Sequence, residues 1–197
     1  MAVKANHDIS SGLDTAFINS AINSNLAYRP EFVSNDYTQG KKVSVAIERE
    51  LRHCDAFYIS VAFITEGGLA PLKQVLAELR DKGIPGKILT TSYLTFTEPK
   101  ALKTLADLSN VEVRVYDSTD EGASGFHTKG YIFKEEEIYR FIVGSSNMTA
   151  SAFSVNKEWN TKLVSTSDGE LLKQMMTEFN ALWNSKHTLA VKDFIED

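Results

Sequence analysis

A single cysteine, Cys54, occurs in 197 residues. One thiol forms neither an internal disulfide nor a paired-cysteine zinc site, and this usage reads as cytoplasmic. No run of about 18 apolar residues is present, so no helix is expected to span a bilayer. The opening stretch, MAVKANHDISSG, lacks an apolar core, so no secretory signal is expected. An excess of positive charge is also missing: 21 Lys and Arg stand against 26 Asp and Glu, for a net charge of −5. That balance disfavours a protein that coats nucleic acid, while a local basic site stays open. Hydrophobic residues make up 43% of the chain and charged ones 24%, which excludes wholesale disorder and fibrous classes.

What is present is ordered by periodicity. Residues 1–40 are polar and read as an N-terminal arm with one short helix near Leu13–Ile22. From 41 to 197 the chain reads as one domain. Val43, Ile47, Leu51 and Cys54 recur at helical spacing, and the short apolar run 56–63 predicts a buried strand. Leu69, Leu72, Val75, Leu76 and Leu79 predict an amphipathic helix stopped at Gly83. Strands at 87–91 and 111–116 flank a helix over 98–108. This alternation predicts an α/β fold: a mixed, largely parallel sheet with helices on both faces. Strands at 129–133 and 138–143 then form a hairpin, 160–165 a further strand, and 171–183 a closing helix. The apolar residues Val191, Phe194 and Ile195 near the last position suggest a piece of a longer protein. Trp159 and Trp183 read as core, Cys54 as a small buried hydrophobe, and Tyr28, Tyr37 and Tyr93 as ordinary surface or core residues.

The chemistry concentrates between Phe126 and Asn160. His127 and Lys129 are two apart, which on a strand places them on one face. Gly144-Ser145-Ser146-Asn147 follows at a strand end, where glycine lets a phosphate approach the backbone. Asn147 lies 20 residues and Glu158 31 residues after His127. Imidazole supplies a nucleophile or a proton donor near neutrality, Lys a fixed charge, Asn and Ser neutral donors, and a carboxylate can hold a tautomer. Together these suit a phosphoryl group, with a nucleophile in line and donors around the equatorial oxygens. No His, Asp and Glu cluster has metal-ligand spacing, so neither a metal nor another cofactor is expected. Thr65–Gly68, after the first parallel strand, is a further candidate for lining the site.

This pattern, His127-Thr128-Lys129 followed by Gly144-Ser145-Ser146-Asn147 and then Glu158, resembles the signature of the phospholipase D superfamily. Its single copy resembles most closely the nuclease branch, which includes metal-independent restriction endonucleases and the N-terminal domain of some bacterial superfamily II helicases. The motif covers residues 127–158, and the family fold would cover about 41–185. The resemblance implies that His127 attacks phosphorus and forms a phosphohistidine. Lys129 and Asn147 would bind the non-bridging oxygens, Ser145 and Ser146 would complete the phosphate pocket, and Glu158 would orient His127. A second histidine must protonate the leaving oxygen. His7, His53 and His187 lack the motif, so a C2 homodimer with the site at its interface is expected. The family's Asp five residues after the Lys is replaced here by Lys134, which argues against a true phospholipase and leaves open a decayed site.

Three functions follow. The first is a metal-independent phosphodiesterase acting on DNA, the nuclease module of a helicase or restriction-type protein. The second is a non-catalytic phosphate- or DNA-binding module with the same pocket. The third, a lipid or small-diester hydrolase, is disfavoured because neither a duplicated motif nor an apolar membrane-facing region is visible.

Overall fold

The computed structural model describes residues 21, 28–92 and 96–195. Eight strands form one mixed sheet in the order β1-β7-β6-β5-β2-β3-β4-β8. They are β1 (Glu31–Val33), β2 (Ala56–Val61), β3 (Gly86–Thr91), β4 (Val111–Tyr116), β5 (Lys129–Glu135), β6 (Ile138–Gly144), β7 (Asn160–Thr166) and β8 (Thr188–Ala190). The helices are α1 (Val43–Leu51), α2 (Glu66–Leu69), α3 (Lys73–Asp81), α4 (Pro99–Ala106), α5 (Ala150–Ser154), α6 (Glu170–Trp183) and α7 (Val191–Ile195).

The alternating β2-to-β4 segment forms the parallel part, with β3 parallel to both β2 and β4. The sheet is mixed as expected, but its parallel share is smaller than the sequence reading. The other pairings are antiparallel because β5, β6 and β7 follow one another as a meander and β5 pairs back onto β2. The expected hairpin of β5 and β6 turns at Glu136, which adopts a positive φ of 51° and donates its N–H to the Asp55 carboxylate at 2.7 Å.

Alternation along the strands sorts side chains between two unequal layers. Phe57, Ile59, Val61, Ile88, Val113, Val115, Tyr131 and Phe133 face one side and pack against all the short helices. Among the described residues, α6 is the helix that covers the other side, through Leu172, Phe179 and Trp183, and Phe126 from the loop before β5 joins it. Each fully buried aliphatic or aromatic side chain contributes roughly 1.5–3 kcal/mol, so the larger layer dominates stability.

Two expectations about local structure changed. The helix predicted from Leu69 is split: Ala70–Leu72 is a 3₁₀ turn, and Pro71 within it has no N–H for an α-helical bond. The edge strands β1 and β8 are only three residues long, too short to show a period. The expected helix at Leu13–Ile22 lies almost wholly outside the described residues, as does Tyr93. Burial pushes the Cys54 thiol up to about 12, consistent with an inert core residue.

Candidate active site

The pairing register brings the motif residues to one edge of the sheet. Lys129 starts β5 opposite Val61, where β2 ends. Gly144 ends β6 opposite Asn160, where β7 starts. The carboxyl ends of two strands and the amino ends of two others therefore meet at a cleft of about 610 Å³, whose lining includes Phe63, Thr65, Phe96, Ser145, Asn147 and Glu158. Thr65 and Gly67 also line it, as the sequence suggested for this segment.

The floor is stitched from two sequence-distant turns. Phe63 donates its N–H to Asn147 Oδ1 at 3.2 Å. Met148 N–H reaches the Phe63 carbonyl, and Thr65 N–H reaches the Met148 carbonyl, both at 3.0 Å. Gly68 makes this approach possible, because a Cβ there would lie 2.0 Å from the Met148 oxygen. Gly144 acts similarly, since its Cβ would lie 2.1 Å from the Trp159 oxygen. Thr65 caps α2 and Thr149 caps α5, so the turns run directly into helices.

His127 is exposed at the mouth, with its ring 6.2 Å from Phe63 and nearly perpendicular to it. Lys129 Nζ lies 2.9 Å from His127 Nδ1 and 3.0 Å from the His127 carbonyl. Burial lowers the Lys129 pKa from its ordinary 10.5, and the Glu158 carboxylate opposes that shift only in part. Asn147 is half-buried with its Oδ1 held by Phe63, so its NH₂ is the end left for a ligand. His127, Lys129, Asn147 and Glu158 are thus gathered at one edge.

The two serines have other work. Ser145 Oγ donates to Glu158 Oε2 and accepts from Trp159 N–H at 3.0 Å, while Ser145 N–H binds the Trp159 carbonyl. Its donors are committed to fixing the strand end and the carboxylate. Ser146 is fully buried, accepting from Asn160 Nδ2 at 2.9 Å and donating its N–H to Asn160 Oδ1 at 3.3 Å. Ser146, expected to contact phosphate, is thus enclosed in a positioning role, whereas Ser145 is exposed at the cleft with its hydroxyl directed to Glu158. Glu158 is buried and bound to Ser145; among the described residues its hydrogen bond goes there and not to His127.

Two supporting residues were missed from sequence. Tyr131, fully buried in β5, donates its hydroxyl to the Ser146 carbonyl at 3.0 Å. Asn160 ties Ser146 to β1 by donating also to the Val33 carbonyl at 3.1 Å. Tyr131 lies two residues after Lys129 and Asn160 two after Glu158, but only burial distinguishes them from ordinary strand residues.

Neither remaining described histidine reaches the cleft. His187 precedes β8, the edge strand beyond β4, and its ring packs against Tyr116 with centroids 6.0 Å apart. Its Nδ1 lies 2.6 Å from Asp120, and that hydrogen bond holds the Asp120 carboxyl below its usual range. His53 lies at the end of α1 with Nδ1 on the Arg49 carbonyl. Lys134, which replaces the family's Asp, pairs with Tyr139 on β6 and Ala56 on β2, at the far end of β5 and roughly 16 Å from Lys129. That departure leaves the cleft untouched. Among the described residues no three His, Cys, Asp or Glu side chains form a metal-ligand group, and no helix is long and apolar enough to cross a membrane.

Lys129 offers a test through its proton. A lysine that binds phosphate must be charged, and a lowered pKa means that the charge is lost sooner as pH rises. The alkaline limb of kcat/KM should lie below pH 10.5, and Lys129→Arg should move it upward by at least about one unit because Arg stays protonated. A limb unmoved in a pH–rate profile of the Arg variant would remove Lys129 from this role.

The family model described as Cardiolipin synthase, PLD-like domain, matches residues 52–183, two thirds of the chain. No curated protein sequence matches. The fold is similar to that of Nuc from Salmonella typhimurium, described as a phospholipase D family member, with a TM-score of 0.61 and 16% identity over 82% of this chain and 98% of that one. NucT from Helicobacter pylori gives a TM-score of 0.61 and 15% identity over 83% of this chain and 99% of that one. The phosphatidylserine synthase of Haemophilus influenzae gives 0.57 and 15%, with 82% of this chain and 39% of that one aligned. With the profile spanning β2 to α6 and the motif residues gathered at one sheet edge, the chain belongs to the phospholipase D-like family of phosphodiesterases.

Proposed function

We propose that this protein is a metal-independent nuclease that cleaves DNA through a phosphohistidine at His127. The observation that carries this reading is the gathering of His127, Lys129 and Asn147 at one sheet edge, with Glu158 buried behind them. The groups offered to a phosphate are an ammonium, a neutral amide and an imidazole, which can stabilise a phosphoryl transition state without a bridging cation.

Lys129 at Nδ1 places the proton of a neutral His127 ring on Nε2. An incoming phosphodiester attracts the ammonium away from the ring. The proton then shifts to Nδ1 and leaves the Nε2 lone pair free to attack. Nε2 forms the bond to phosphorus while the P–O bond to the leaving group breaks, and Lys129 and Asn147 hold the non-bridging oxygens. A second histidine donates its proton to the leaving oxygen and then takes one from the water that hydrolyses the phosphohistidine. Among the described residues His53 and His187 lie elsewhere, and the motif-bearing His127 of a second copy of the chain is the donor in this reading, in a C2 homodimer with both clefts facing the axis. Glu158 balances the Lys129 charge and keeps Ser145 in place. A net charge of −5 binds DNA weakly, so a DNA-tracking partner such as a linked helicase domain suits this module.

The test is incubation of the purified protein with single- and double-stranded DNA in excess EDTA. Cleavage should persist in the chelator. Cleavage that needs added Mg²⁺ would contradict the proposal, and DNA bound without any cutting would favour a non-catalytic binding module.

A further inference from the structure

Among the described residues, every exposed phenylalanine or tryptophan side chain lies near the catalytic edge. Phe96 is 56% exposed, Phe32 64% and Trp159 76%, whereas Trp183 is only 2% exposed. Trp159, expected in the core, is instead at the surface. The reason is its position: it precedes β7 and follows the buried Glu158, so strand alternation turns it away from the side where Asn160 is buried.

The rings fall on two sides of the phosphate-binding groups. Phe96 lines the cleft and packs edge-to-face on Phe63 with centroids 5.0 Å apart, and Phe63 in turn packs on His127. At the start of β7, next to the cleft residue Glu158, Trp159 donates its N–H to Ser145 Oγ and accepts from Ser145 N–H, and its indole meets Phe32 edge-on at 5.9 Å. Its backbone is thus clamped beside Glu158 while most of the indole faces solvent. β7 lies two strands from β5, so Trp159 stands about 10 Å from the Lys129 strand.

Trp159 and Phe32 form a contiguous exposed aromatic pair, and contiguous exposed apolar surface marks an interaction site. A lipid surface would call for one contiguous apolar patch, but here Lys129, Asn147 and Ser145 separate that pair from Phe96. A ligand that carries a flat apolar group on each side of a phosphate fits this alternation. We propose that Trp159, with Phe32, and Phe96 are stacking platforms for unpaired nucleobases flanking the bound phosphate, so that the substrate is single-stranded nucleic acid. This rests on the reading of the cleft as a nucleic-acid phosphodiester site. Duplex DNA keeps its bases stacked inside, whereas an unpaired base presents its face to an aromatic ring.

The chain's two tryptophans make the test direct, because only Trp159 is accessible. Titrating the full chain with a single-stranded oligonucleotide should quench the emission of Trp159. An abasic oligomer of equal length and charge should not, and a duplex should quench far less. By anisotropy with a labelled single strand, Trp159→Ala and Phe96→Ala should each weaken Kd about ten-fold while leaving affinity for the abasic oligomer unchanged. Equal quenching by the abasic oligomer or the duplex would overturn the proposal. So would unchanged affinity in both variants, or a Trp159 already shielded from acrylamide in the free protein, which would assign the ring to self-association. Quenching without cleavage would sink the catalytic reading alone, and cleavage without quenching would sink this one alone.

Discussion

His127→Ala should abolish phosphodiester cleavage, lowering kcat by at least about a thousand-fold, with the thermal midpoint unchanged. The size follows from the role. Removing a nucleophile eliminates the covalent route entirely, and what remains is whatever binding and charge stabilisation contribute to direct attack by water. The unchanged stability follows from position. His127 is exposed, its Nδ1 contact is with a half-buried lysine, and its packing is the edge of one ring contact with Phe63. Phe126 beside it is buried against Tyr116 with centroids 5.5 Å apart and keeps the strand entry in place. Kinetics and a melting curve on the same preparation check both halves. A variant that retains a tenth of the wild-type kcat would eliminate His127 as nucleophile. Mixing His127→Ala with wild type also tests the proposed dimer, because a heterodimer holding one functional histidine should lose activity out of proportion to its share of subunits.

Lys162→Met should be the most destabilising single change on the far face of the site, by about 3 kcal/mol. Lys162 is 5% exposed and Glu50 6%. Its Nζ bridges Glu50 at 3.2 Å and Glu31 at 2.6 Å, joining β7 to α1 and β1. Methionine keeps most of the volume, so the loss reports the charge. It leaves Glu50 buried with only Arg49 at 3.3 Å and the more distant Arg140 at 3.8 Å, which places the cost at the lower end of the range for a broken buried pair. Urea unfolding measures it, and a loss under 1 kcal/mol would show that the two arginines suffice. The pH dependence has a defined sign. Burial alone would raise the Glu31 pKa, but hydrogen bonds and charge from Lys162 and Arg49 outweigh it and bring it below 4.5. A depressed carboxyl pKa contributes stability above its unfolded value that is lost as pH falls through the folded one. The wild type should therefore lose stability more steeply than Lys162→Met as pH falls below about 4.5.

How much of this was legible beforehand depends on the range of each interaction. Period-2 runs such as Val111–Tyr116 and period-3.6 runs such as Leu72, Val75, Leu76 and Leu79 report burial locally, so the central strands and main helices were readable. The motif was readable for the same reason: His127 and Lys129 share a strand face whatever surrounds them. The edge strands β1 and β8 were not, because three residues carry no period and pair only with strands distant in sequence.

The sequence by itself determined which groups are available for chemistry: an imidazole, an ammonium, an amide and a carboxylate within 32 residues, on a chain whose alternation demands helices against a sheet. Only the tertiary structure decided their assignments. Ser146 looks like a phosphate donor until Asn160 and Tyr131 are seen to hold it inside, and Trp159 looks like core until Glu158 takes the buried position beside it. Neighbouring residues on a strand face opposite ways, but which way is inside is set by partners up to 127 residues away, as when Asn160 binds the Val33 carbonyl.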